Sequence, residues 1–111
     1  MPTIRTIDVR DLRHRLNLSR RMFARLAGYS ERAIAEWEKG KPPAAASHAR
    51  LTEVKRLYAA LAKVMAPDAI AEWLATPNKA FGELKPVEVV ERGEMDRIWR
   101  MIYLLESGVP T

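Results

Sequence analysis

Arginine is the residue type in this chain with the clearest chemical use. Arg5, Arg10, Arg13, Arg15, Arg20, Arg21 and Arg25 gather in the first quarter, and Arg32, Lys39 and Lys41 follow closely. Residues 1–56 hold 13 Lys and Arg against 6 Asp and Glu, residues 57–111 only 6 against 8, so the net charge of +5 belongs to the first half. Guanidinium groups are forked donors that match phosphate oxygens, and a locally basic stretch is what neutralising a nucleic-acid backbone requires. About half of these arginines are expected to be ordinary solvated residues, since a surface cation needs no partner. Catalysis has little to work with. His14 and His48 are the two histidines, cysteine is absent, and neither histidine stands at metal-ligand spacing from the other. Glu88, Glu91, Glu94 and Asp96 recur at helical spacing beside Arg92 and Arg97, which reads as a salt-bridged solvated face and not as general acid or base machinery. The chain is therefore not expected to be an enzyme or to carry a cofactor or metal.

The cations must be positioned by helices. Leu16 to Gly40 fits two short helices meeting at a tight turn. Ser19 caps the first, with Met22, Phe23 and Leu26 inward and the small Ala24 four residues before Gly28, which tolerates a positive φ. After Tyr29, Ser30 caps a second helix with Ala33, Ile34 and Trp37 inward, leaving Glu31, Arg32, Ala35, Glu36 and Lys39 outward on a face that fits a major groove. The expected DNA contacts are Ser19, Arg20, Arg21, Ser30, Glu31, Arg32, Ala35, Lys39 and Lys41. Glu31 and Glu36 oppose phosphate unless one accepts from a cytosine amino group or pairs with Arg32, so tight binding calls for two copies reading two half-sites.

The rest of the chain also reads as helical, which makes the fold class all-α with about seven or eight helices. Thr6 or Asp8 opens a first helix with Val9, Leu12 and Leu16 inward. A Pro-rich connector precedes a long helix from Ser47, whose stripe is Leu51, Val54, Leu57, Tyr58, Leu61 and Met65. Pro67 restarts a shorter helix to Leu74, Thr76 and Pro77 begin a turn with Phe81 inward, and Pro86 opens a helix closed by Gly93. The last helix runs from Glu94 to Ser107 with Met95, Ile98, Ile102 and Leu105 buried. The expected domains are 1–65, a DNA-binding bundle, and 66–111, a smaller helical domain. No apolar run approaches membrane-spanning length and the N-terminus lacks the apolar core of a secretion signal, which fits a cytoplasmic protein.

The second half exceeds what DNA reading needs. Trp99, Tyr103 and Leu104 stand on positions of the last helix that one buried stripe does not cover, so they either complete the core or face another chain.

Residues Val9 to Leu57, with Ala24, Gly28, Ser30, Ile34, Trp37, Glu38 and Gly40 in order, resemble the Xre/Cro-type helix-turn-helix family. Residues 68–109 resemble the toxin-binding domain of the Xre/MbcA/ParS antitoxin family, through Trp73, Thr76-Pro77-Asn78, Phe81-Gly82, Pro86, Val89-Val90, Glu91, Gly93-Glu94, Arg97-Ile98 and Gly108; the length is most like the MbcA-like members. The resemblance implies a type II antitoxin that covers the NAD pocket of a RES-domain toxin while its helix-turn-helix represses the shared operon. Its implied partners are that toxin, operator DNA and a second copy or a larger assembly with toxin, with no membrane. Arg97, Arg100, Tyr103, Leu104, Gly108 and Val109 would contact the toxin, and Trp37, Trp73, Pro77, Asn78, Phe81, Gly82, Pro86 and Gly93 would shape the scaffold. A stand-alone transcriptional regulator whose second half dimerises or binds a ligand is the alternative.

Overall fold

The computed structural model describes residues 7–108, and among these the regular structure is helical, with one isolated bridge between Asn78 and Leu84. The helices are α1 (Val9–Leu16), α2 (Arg20–Ala27), α3 (Glu31–Glu38), α4 (Ala45–Val64), α5 (Ile70–Leu74), α6 (Pro86–Glu91) and α7 (Met95–Ser107). Single 3-10 turns at Pro67–Ala69 and Lys79–Phe81 precede and follow α5. The chain gathers into two compact units that divide between Arg56 and Leu57, inside α4.

In the first unit each short helix begins at a side-chain cap. The Asp8 carboxylate accepts the Asp11 N–H at 2.9 Å, while Thr6, the other expected cap, lies outside the described residues, as does Arg5. Ser19 Oγ accepts from Met22 N–H and Ser30 Oγ from Ala33 N–H, both at 3.1 Å. Such caps satisfy backbone donors that an eight-residue helix leaves open, each at about 1 kcal/mol. Val9, Leu12 and Leu16 of α1 are buried as their spacing predicts. On α2 the buried set is Phe23, Ala24, Leu26 and Ala27; Met22, expected inward, lies at the edge of that stripe and is only half-buried. Phe23, Leu26 and Ile34 have no exposure, and burial on this scale stabilises by about 1.5–3 kcal/mol per side chain. The long helix starts at Ala45, two residues before the expected Ser47, because the run of alanines after Pro43 is strongly helix-forming; His48 N–H already donates to Ala44 C=O at 2.8 Å. Ser47 is instead a buried polar residue of the first turn.

The second unit takes Leu57 and Leu61 of α4 into its core, with Tyr58 and Met65 half-buried. Ile70 and Leu74 of α5, Val87, Val89 and Val90 of α6, and Ile98 and Ile102 of α7 are also buried. Valine-rich α6 has six residues and weak helical propensity, so packing holds it in shape. Pro86 sits at its first position, and the Glu88 carboxylate accepts the Lys85 N–H at 2.8 Å. Leu105, expected inward on α7, is 50% exposed: the core beneath the helix stops at Ile102, and no described residue beyond it is buried.

Candidate nucleic-acid interface and the C-terminal helix

The α2–turn–α3 pair is held at its outer end by one carboxylate. Glu38 is four residues beyond the fully buried Ile34, hence on the inward side of α3, and its side chain has no solvent exposure. Arg13 Nε donates to it at 2.6 Å and Arg13 Nη2 at 3.1 Å, Arg20 Nε donates at 3.1 Å, and Arg10 approaches to 3.9 Å. Burial alone would raise the Glu38 carboxyl, but hydrogen bonds and charge from Arg13 and Arg20 outweigh it and hold the group below its ordinary value. Glu38 thereby ties α1, α2 and α3 together. Arg20, expected on DNA phosphate, is largely committed to this pair, though its side chain remains 47% exposed.

The turn itself is set by Gly28 at φ 80°, where a side chain would be strained. Arg50 of α4 closes the end of α2, with Nε donating to Ala27 C=O at 3.1 Å. Trp37 was expected inward and is half-buried: its ring meets Tyr29 edge-on at 5.1 Å and lines an open cavity of about 360 Å³ with Ile7, Val9, Pro42 and Pro43. Ala33 is likewise half-buried, which leaves Ile34 as the buried anchor of α3.

On the outward side of α3, Glu31, Arg32 and Lys39 are exposed, and Ala35 and Glu36 are partly so. Arg21 is exposed on α2. The chain turns back at Gly40, Lys41 N–H donates to Glu36 C=O, and the Lys41 ammonium returns to the Glu36 carboxylate at 3.2 Å. Arg32, 90% exposed, reaches the other oxygen at 3.4 Å. The Lys41 hydrogen bond and charge, then the nearby Arg32, keep the Glu36 carboxyl below its ordinary value. One of the two acidic residues that oppose phosphate is thus neutralised by its own neighbours. The Ser19 and Ser30 hydroxyls are already engaged as caps, which assigns both a structural task beside any contact with DNA.

Arg10, Arg13 and Arg50 hold the unit together without having been singled out for it. Their signal is positional: a carboxylate at helical spacing from a buried isoleucine needs cations, and helix ends need donors or acceptors.

In the second unit the Thr76-Pro77-Asn78 turn is closed by Asn78 Oδ1 accepting from Ala80 N–H at 2.9 Å and by Asn78 N–H donating to Leu84 C=O at 3.0 Å. Phe81 is buried, meets the Trp73 ring edge-on at 6.3 Å, and carries the Arg97 guanidinium over its face at 5.6 Å. Arg97 also donates to Glu94 at 3.0 Å, so this arginine serves the fold as well as the surface. Glu88 and Glu94 are accordingly not merely a solvated acidic face. Arg100 is exposed, Tyr103 is 69% exposed and Leu104 is half-buried. Gly108 ends α7 at φ 67°, and Val109 lies outside the described residues. Among the described residues no group of three His, Cys, Asp or Glu could hold a metal ion, and no helix is long and apolar enough to cross a membrane.

Comparison with known proteins matches part of the chain to a family model and nearly all of it to named relatives. Residues 9–51 match the helix-turn-helix family model. The chain is 30% identical over 96 residues to the mycobacterial cidal antitoxin MbcA of Mycobacterium bovis and to that of Mycobacterium tuberculosis, covering 86% of this chain and 85% of each relative. A chain from the crystal structure of the M. tuberculosis MbcT-MbcA toxin-antitoxin complex superposes with a TM-score of 0.78 at 27% identity, over 99% of this chain and 100% of that one.

Proposed function

This chain belongs to the family of the antitoxin MbcA, a helix-turn-helix antitoxin of a toxin–antitoxin system, and from that premise we propose that it neutralises a RES-domain toxin and represses its own operon. Neutralisation is assigned to the C-terminal unit, which covers the toxin's NAD pocket. Repression is assigned to α3 entering the major groove of operator DNA, with two copies brought together by self-association or by the toxin. The observation that carries the reading is the end-to-end likeness to a chain solved in a toxin–antitoxin complex, because it includes the second unit, for which DNA reading has no use. Tyr103, exposed on α7 beside exposed Arg100, supports a partner on that helix: a large ring with a polar tip is favourable at interfaces and gains little from water. Arg100 suits phosphate acceptors such as those of NAD, and equally an acidic group of the toxin.

The test is co-expression with the neighbouring open reading frame. The pair is expected to co-purify, and this chain is expected to restore growth to cells making the partner. Failure of both in a host where the partner is toxic would defeat the antitoxin reading and favour a stand-alone regulator.

A further inference from the structure

Glu36 and Arg32 lie one helical turn apart on the outward side of α3, and the way they pair bears on what that side can read. The Glu36 carboxylate is held at both oxygens, Oε2 by the Lys41 ammonium at 3.2 Å and Oε1 by Arg32 Nε at 3.4 Å. Lys41 is brought there by the backbone, its N–H donating to Glu36 C=O at 3.1 Å as the chain reverses at Gly40. A carboxylate met by a cation on each oxygen has fewer poses open to it than a lone one. Arginine has five donors, and its contact with Glu36 runs through Nε. The side chain is 90% exposed, so the two terminal nitrogens keep their donors for a ligand. A guanidinium with its Nε beside a carboxylate and its fork open matches the paired acceptors O6 and N7 that guanine presents in the major groove.

We propose that Arg32 reads one guanine in each half of the operator and that Glu36 is the residue that positions it. The inference rests on the DNA-binding reading above and adds the base. Glu36 also acquires a use in place of a liability: its charge is spent on Arg32 and Lys41, so it repels little phosphate, and it holds the fork in a pose that a flexible exposed arginine would otherwise lose entropy to adopt.

Full-length chain is mixed with a pool of random-sequence DNA duplexes, the retained duplexes are sequenced, and the most enriched is compared with copies in which each guanine in turn becomes 7-deazaguanine, which lacks the N7 acceptor. One guanine per half-site is expected to weaken binding about tenfold or more when so replaced. Arg32→Lys, which keeps the cation and loses the fork, is expected to bind with its salt dependence intact and without that penalty. Glu36→Gln is expected to shrink the penalty at the same guanine while the melting temperature of the protein stays put. Retention of duplexes with no such guanine, or a penalty that survives Arg32→Lys, overturns the assignment and leaves DNA binding standing. If the wild-type chain retains no duplex at all, the DNA-binding reading falls and this one with it.

Discussion

Glu38 is a carboxylate without solvent, surrounded by Arg10, Arg13 and Arg20, and its energetics differ from those of a surface ion pair. Removing Glu38 leaves the largely buried Arg13 unpaired while the half-exposed Arg10 and Arg20 turn to water, so Glu38→Ala is expected to cost about 2–3 kcal/mol. Chemical denaturation of the full chain followed by circular dichroism reads this directly; a loss below about 1 kcal/mol would place Glu38 among ordinary surface pairs. The same group predicts an acid response. Its folded-state pKa lies below the ordinary value of 4.5, so its contribution is present above that value and is lost as the pH falls through the folded one. Wild-type stability is expected to drop at acid pH more steeply than that of Glu38→Gln, as thermal melts across the carboxylate range would show. Trp37 calls for a smaller figure than full burial would imply: half-exposed and edge-on to Tyr29, it is expected to cost about 2 kcal/mol on change to alanine.

Two turns test how the elements are joined, with opposite signs. Gly28 stands at φ 80° with its nearest foreign atom 4.0 Å from where a Cβ would be, so Gly28→Ala meets strain without a clash and is expected to cost about 1–2 kcal/mol. Glu83 adopts φ 70° beside Gly82, and Glu83→Gly is expected to stabilise by about 0.5–1 kcal/mol, since the relief of strain exceeds the extra freedom of the unfolded chain. Matched denaturation curves decide both, and a Glu83→Gly variant less stable than wild type would refute the strain argument. These elements also show what the sequence made legible. Ser19, Ser30, Gly28 and Pro86 announce helix ends because capping and backbone conformation are local, and the spacing of Val9, Leu12 and Leu16 announces a buried face for the same reason. Leu105 and Trp37 depart from expectation because periodicity gives the phase of a helix and not where the core beneath it ends. The roles of Arg13 and Arg50 were illegible for a related reason: their partners stand more than twenty residues away in sequence, at Glu38 and Ala27.

Across the whole molecule the two proposed activities draw on different units, so they should separate by mutation. Arg20 is a poor choice for disabling DNA contact, because its tie to Glu38 would confuse lost binding with lost fold. Arg21 and Arg32 are exposed and make the cleaner pair; Arg21→Ala with Arg32→Ala is expected to abolish repression of a promoter reporter and to leave growth rescue intact. For the other unit Arg97 is unsuitable on similar grounds, since its guanidinium lies over Phe81 and pairs with Glu94. Arg100→Glu with Tyr103→Ala alters an exposed cation and an exposed ring without emptying the core, and is expected to abolish rescue while helicity and melting temperature hold. Repression by the second variant then reports on assembly. If the toxin supplies the second copy that makes binding to two half-sites tight, repression weakens along with rescue and returns when the protein is overproduced, because concentration substitutes for the lost link. If the chain dimerises unaided, repression is untouched. Scoring rescue and the reporter on the same strains reads all of these outcomes, and full rescue by Arg100→Glu with Tyr103→Ala would remove α7 from the toxin interface.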